Sequence, residues 1–272
     1  MEEENSGMTF WDHLEVLRGV LFKALAIAVI AAIAAFCFKD LLFSIILGPS
    51  TPDFILYQGL ASLAHKMGLD PSGFTDFHVD LFSATLSAQF MTHMKVAFYM
   101  GLIVSMPYIL YLLYGFVAPA LRKEEKKYTT AVVGWAYILF MAGVLLNYFL
   151  IFPLAFRFLG TYQVSADVPN IITLVSYIDM LMTMTLLMGI MFELPVLSWF
   201  MARLGVINSS FMKKYRKHAF VVILAVGAVI TPTTDVFTLI IVALPIYLLY
   251  ECSIRLVSRI DRQRERKLQA DA

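Results

Sequence analysis

The stretch AFVVILAVGAVITPTTDVFTLIIVALPIYLLY, residues 219–250, decides the architecture. Its apolar parts, 219–230 and 236–250, are 12 and 15 residues long, with TPTTD between them. Read as one kinked helix, the stretch crosses a membrane once; read as two, it crosses twice. Charge decides between them. KKYRKH (213–218) precedes the stretch and RLVSRIDRQRERK (255–267) follows it. Lys and Arg collect in cytoplasmic flanks. Two basic flanks on one side require an even number of crossings, hence two short spans joined at 231–235. Twelve helical residues rise only ~18 Å, against ~30 Å of hydrocarbon. The bilayer should thin there, or the helix should lie in a protein-lined recess.

Working outward, four longer apolar runs, 20–38, 96–118, 131–152 and 180–202, are each about long enough to span. The expected fold is an all-α polytopic membrane protein with six transmembrane helices, the last two short. With both termini cytoplasmic, 17 of the 21 Lys and Arg fall on that side; Lys39, Lys66, Lys95 and Arg157 do not. The composition agrees: 60% hydrophobic, 15% charged, mean hydropathy +0.77, where soluble domains run near 45–50% apolar and about 25% charged. A net charge of +1 gives no field for nucleic acid. Glu2, Glu3, Glu4 and Asp12, with no small-residue cleavage site after them, argue against a cleavable signal peptide. Residues 1–255 read as the membrane domain and 256–272 as a basic cytoplasmic tail.

The connections are unequal. Residues 39–95 form a long external segment. Within it, 55–69 carries Leu56, Leu60, Leu63 and Met67 at helical spacing, and 74–82 alternates Phe77, Val79, Leu81 as an extended chain would. Phe10, Leu14, Leu17 and Leu21 predict an interfacial helix leading into the first span. Cys37 and Cys252 fall near opposite ends of their spans, which speaks against a disulfide or a metal site.

No enzyme motif stands in the chain, no catalytic residue is expected, and the five histidines match no metal spacing. The polar groups inside spans say more. Glu193 is the one charge between Met180 and Ala202 and lies ten residues before Arg203, roughly 15 Å deep. An ionisable group there is a functional candidate, or else a protonated acid bonded to a neighbouring helix. Pro195 frees the carbonyl of Met191 and should kink the helix. Asp235 can cap the last helix, serve function directly, or both. Glu124 and Glu125 stand among four cations in YGFVAPALRKEEKKY (114–128), and Glu15 and Arg18 are three apart on one helical face, a common surface pair.

HLEVLR (13–18), FVAPALRKEE (116–125), FPLAF (152–156), FELPV (192–196) and TPTTDVF (231–237) occur in one order. Together they resemble TatC, the multispanning receptor subunit of the twin-arginine protein translocase. The resemblance covers residues 8 to about 255. It implies a cup-shaped bundle of six helices in the bacterial inner membrane and no cofactor. It implies export of folded proteins driven by the proton motive force. The implied partners are signal peptides with two adjacent arginines, TatA- and TatB-type single-span proteins, membrane lipid and further copies of the chain.

Position by position, Glu125 matches the family's signal-recognition glutamate and Phe116 its neighbour. Glu124 adjoins them, and Arg18 matches the arginine of the N-terminal motif. Pro49 matches a proline beyond the first span, Glu193 the fourth-span glutamate, and Asp235 the aspartate before the sixth span. Three departures stand out. Val16 holds the glutamate slot of the N-terminal motif while Glu15 is one earlier, a turn of 100° on a helix. Leu239 replaces a glutamine. The external loop near 50–75 is long. Acidic acceptors at a cytoplasmic face suit a twin-arginine ligand, because arginine and carboxylate pair bidentately. The rival reading is a proton-coupled secondary transporter with Glu193 as coupling site. Against it stand the small frame, the lack of internal symmetry and the two short spans.

Overall fold

A computed structural model describes residues 10–70, 77, 79–117, 129–165, 170–231 and 235–270. Helix α1 (Phe10–Cys37) is one unbroken helix where the sequence predicts an interfacial segment and then a span. Gly19 lies between the two parts, and one glycine costs only about 1 kcal/mol in a helix, too little to break it. α1 packs antiparallel on α4 (Ala88–Val117). The two backbones touch where Gly101 meets Ala32: a Cβ at 101 would stand 2.5 Å from the Ala32 nitrogen. Between these helices lie α2 (Lys39–Ile46), a 3-10 turn (Gly48–Ser50) and α3 (Ile55–Lys66). α3 is a helix where one is expected, but it buries Tyr57, Ala61 and Ala64 and leaves Leu63 and Met67 of the expected stripe exposed. The extended reading of 74–82 is met in part. Leu81–Phe82 (β1) pairs in parallel with Ile172–Thr173 (β2), while 74–76 and 78 lie outside the described residues.

α5 (Thr129–Leu146) runs through a π-turn (Asn147–Ile151) into α6 (Phe152–Thr161). Pro153 has no N–H to return to residue 149, and the widened turn absorbs that missing bond. α7 (Leu174–Met191) crosses α5 at very short range. A Cβ on Gly143 would lie 2.6 Å from the Met188 carbonyl oxygen, and one on Gly189 2.5 Å from the Phe140 ring. Small residues let membrane helices approach this closely. Residues 192–193 break the helix, and α8 (Leu194–Arg203) continues with Pro195 in its first turn, as the kink argument requires. The main core forms where α5, the π-turn, α6 and α7 meet the end of the chain, around Ile151, Phe152, Ile178, Met184 and Val242.

After α9 (Ser209–Lys214), α10 (Arg216–Ile230) and α11 (Val236–Ala270) fold back on each other. Gly227 meets Leu239 near their connection, and Arg216 Nη2 reaches Glu251 Oε2 at 2.7 Å at the far end. The stretch 219–250 is therefore two helices and not one kinked helix. The expectation that both are short needs correction. α10 has 15 residues, but α11 has 35 and carries residues 250 and 256 in one helix. An apolar run measures what can face lipid, not where a helix stops. Beyond Tyr250, Ile254, Val257 and Ile260 recur at helical spacing and bury against Ala202 of α8 and Met212 of α9.

Among the described residues, five helical stretches are long and apolar enough to cross a membrane: Leu14–Cys37, Ala88–Phe116, Ala131–Thr161, Leu174–Arg203 and Val236–Arg266. α10 is shorter than any of them.

Candidate functional site

The break between α7 and α8 positions Glu193. Its backbone follows Met191, whose carbonyl gets no return bond from Pro195, and its own carbonyl restarts the ladder by accepting from Leu197 at 2.9 Å. The side chain folds inward and is 7% exposed. Oε1 is buried and has no hydrogen-bond partner among the described residues. Leaving such an oxygen unmatched in an apolar setting costs several kcal/mol by the general rule of ~2–7.

A second polar site lies eight residues earlier on α7, about 12 Å along the axis. Asn147, fully buried in the π-turn, donates from Nδ2 to Thr185 Oγ1 at 2.8 Å. Thr185 in turn donates to the Leu181 carbonyl at 2.6 Å. Asn147 Oδ1 is left without a partner. A third orphan, Thr238 Oγ1, is buried in the first turn of α11. The N–H of the same residue donates to Asp235 Oδ1 at 2.7 Å, so Asp235 caps α11.

The remaining predicted positions divide between the two ends of the bundle. Glu15 and Arg18 lie on the early turns of α1 and are exposed. They form no ion pair among the described residues: Arg18 turns instead over the Phe22 ring, 5.6 Å from its centroid. A cation with an aromatic face one turn away has a partner that needs less desolvation than a solvated carboxylate. Phe116, half-buried near the end of α4, shares that end of the bundle. Glu124 and Glu125 lie outside the described residues.

Pro49 is at the opposite end, buried in the 3-10 turn. There the Tyr57 hydroxyl lies 3.1 Å from the Pro49 carbonyl and 2.9 Å from that of Pro153. Burial pushes the Tyr57 phenol up, and Arg157 draws it back only partly, so it stays a donor. Tyr177 and Tyr148 donate to the carbonyls of Ile46 and Ile45 at 2.7 and 2.6 Å. Three tyrosines thus lock the end of α2 and the 3-10 turn onto α3, the π-turn, α6 and α7.

Sequence reasoning missed these tyrosines, because an aromatic in an apolar run reads as lipid-facing or core. It also missed two ion pairs between helices, Lys95–Asp179 and Arg216–Glu251. Lys95 and Asp179 each stand one residue before an apolar run and so read as span boundaries. Both are inside longer helices, α4 and α7. Their opposite signs on adjacent spans were the available signal.

Long apolar helices and glycine-mediated close crossings, with a carboxyl buried at a helix break, mark a polytopic membrane protein. Comparison with known proteins gives the family. The Sec-independent protein translocase protein (TatC) family matches residues 12–245, and the chain belongs to it. The TatC of Blattabacterium sp. subsp. Periplaneta americana is 36% identical over 261 residues, 93% of this chain and 96% of that one. The TatC of Carboxydothermus hydrogenoformans is 33% identical, covering 92% and 93%. A crystal structure described as the twin arginine translocase receptor TatC superposes with a TM-score of 0.73 at 27% identity, covering 92% of this chain and 99% of that one. The chain is thus a multi-pass protein of the bacterial inner membrane and a transport component of a protein translocase.

Proposed function

We propose that this chain is the receptor subunit of a twin-arginine translocase. It crosses the membrane six times with both termini in the cytoplasm, α10 being the short fifth crossing. The antiparallel pair of α10 and α11, with basic residues at the same end of both, supports that topology. Signal peptides with paired arginines bind at the cytoplasmic end, where Glu125 is the principal acceptor. Glu15 and Arg18, Phe116 and Glu124 flank it. TatA- and TatB-type single-span proteins and further copies of the chain assemble around it, and the proton motive force drives export of folded cargo.

The observation that carries this reading is the buried Glu193 Oε1 with no partner. In hydrocarbon such an oxygen needs a polar group from outside the chain, and a polar side chain in a partner's single span supplies one. Deleting the gene tests the reading. A folded reporter with a twin-arginine signal should stay inside, and plasmid-borne protein should restore export. Normal export by the deletion strain, or solute uptake by the purified protein alone, would replace the proposal with the transporter.

A further inference from the structure

A polar pocket of about 410 Å³ lies where α9 meets the later turns of α11. One wall is a stripe on α11 at i, i+3, i+4 and i+7: Ser258, Asp261, Arg262 and Glu265. The other is α9, with Ser210 in its first turn and Lys213 in its last. The backbone N–H of Ser209 donates to Asp261 Oδ2 at 2.7 Å and fixes the two walls together. Arg264 closes one side, its guanidinium lying over Gly205, where a Cβ would be 3.2 Å from Nη1.

The charges are unbalanced. Asp261 is occupied by the Ser209 N–H. Lys213, Arg262 and Arg264 form no ion pair among the described residues, and neither does Glu265. Three cations against two carboxylates leave the pocket at +1. A phosphodiester carries one negative charge.

The position narrows the ligand. Trp199, with Arg203 held 5.4 Å from its ring, marks the end of the apolar part of α8, and Tyr250 donates to the Met212 carbonyl at 2.8 Å at the same level. Tryptophan and tyrosine gather at the headgroup layer of a membrane. Gly205, over which the Arg264 guanidinium lies, is six residues past Trp199, at most about 9 Å by helical rise. A headgroup bound here keeps its acyl chains beside α8 and α11.

We propose that this pocket binds the headgroup of an anionic phospholipid, phosphatidylglycerol being the fit. Its phosphate meets Lys213, Arg262 and Arg264, and its glycerol hydroxyls donate to the free Glu265 carboxylate. The serine hydroxyls complete the shell. A lipid so held sets the depth of the α8–α9 corner and of the continuous α11. The inference is independent of what the translocase carries.

The test uses the full chain in detergent, with native mass spectrometry counting retained phosphatidylglycerol against phosphatidylcholine. Phosphatidylglycerol should be kept preferentially. The triple variant Lys213→Ser, Arg262→Ser, Arg264→Ser should lower its retention about five-fold or more, while Lys217→Ser, Arg255→Ser, Arg259→Ser, equal in charge but outside the pocket, should stay within about two-fold. Ser258→Phe fills the pocket without changing charge and should lower retention as well. Equal loss in the two triple variants overturns the site in favour of diffuse attraction. Unchanged retention with Ser258→Phe overturns it too, and unchanged retention in every variant hands the cations to a protein partner. Displacement of the lipid by excess inorganic phosphate would show that the acyl chains contribute nothing, and sinks a lipid site.

Discussion

A glutamic acid in hydrocarbon can be neutral and still need a hydrogen bond, so size and hydrogen-bonding capacity can be separated from titration at Glu193. Glutamine keeps the first two and cannot carry a proton. Glu193→Gln should therefore retain substantial export, and Glu193→Ala should lose most of it, read from transport of a folded reporter at matched membrane levels. If glutamine is as inactive as alanine, Glu193 titrates during the cycle. On the proposed receptor reading, Glu125→Ala should cost about 2–5 kcal/mol of signal-peptide binding, the price of breaking a desolvated arginine pair. Glu124→Ala should cost less than about 1 kcal/mol, as solvated pairs do. Photocrosslinking of a labelled twin-arginine peptide measures both; small, equal losses would return the two glutamates to a solvated charge run. Single residues were legible in the sequence where chemistry was out of place. A carboxylate in an apolar run gave Glu193, and an aspartate after a turn gave the Asp235 cap. Arg18 was not legible, since spacing offers it both Glu15 and Phe22 and only packing chooses.

At the scale of helices, the order and number of apolar runs were readable, and the lengths were not. Apolar runs of 23 residues or fewer became helices of up to 35, because interhelical ion pairs and amphipathic packing extend a helix past the lipid. Close crossings were equally hidden. Fourteen glycines are present, and the sequence does not mark which of them meets a neighbouring backbone. Gly143 does, against a carbonyl that cannot swing aside, whereas Gly189 faces a ring that can tilt. Gly143→Ala should consequently destabilise the α5–α7 pair by about 1–3 kcal/mol, the usual cost of overpacking. Gly189→Ala should cost less, and Gly134→Ala, with open space around it, should be neutral or slightly stabilising. Thermal unfolding in detergent ranks the three; a Gly134 variant as unstable as the Gly143 one would mean helix propensity, not the crossing, sets the effect.

For the molecule as a whole, the proposed six-crossing arrangement makes a labelling prediction. In a background lacking Cys37 and Cys252, Ser62→Cys should react with an impermeant thiol reagent from outside, and Arg264→Cys only after lysis. Both side chains are exposed, so silence would report topology and not burial. Outside labelling at 264 would exclude an even number of crossings.

The tyrosine locks carry a consequence for how the chain is made. Ile46 waits for Tyr177, 131 residues later, and Tyr57 for Pro153, 96 residues later. At about 5–20 residues per second, the first interval is roughly 7–26 s of synthesis. Until residues 148 and 153 are made, the segment 39–66 has none of its later partners, and the last of the three locks closes only with Tyr177. A nascent chain arrested after residue 146 should leave the segment open to protease, and one arrested after residue 203 should protect it. On the proposed topology the earliest part of the protein to cross the membrane is then among the last to be fastened, and its quality control falls to whatever guards newly inserted chains.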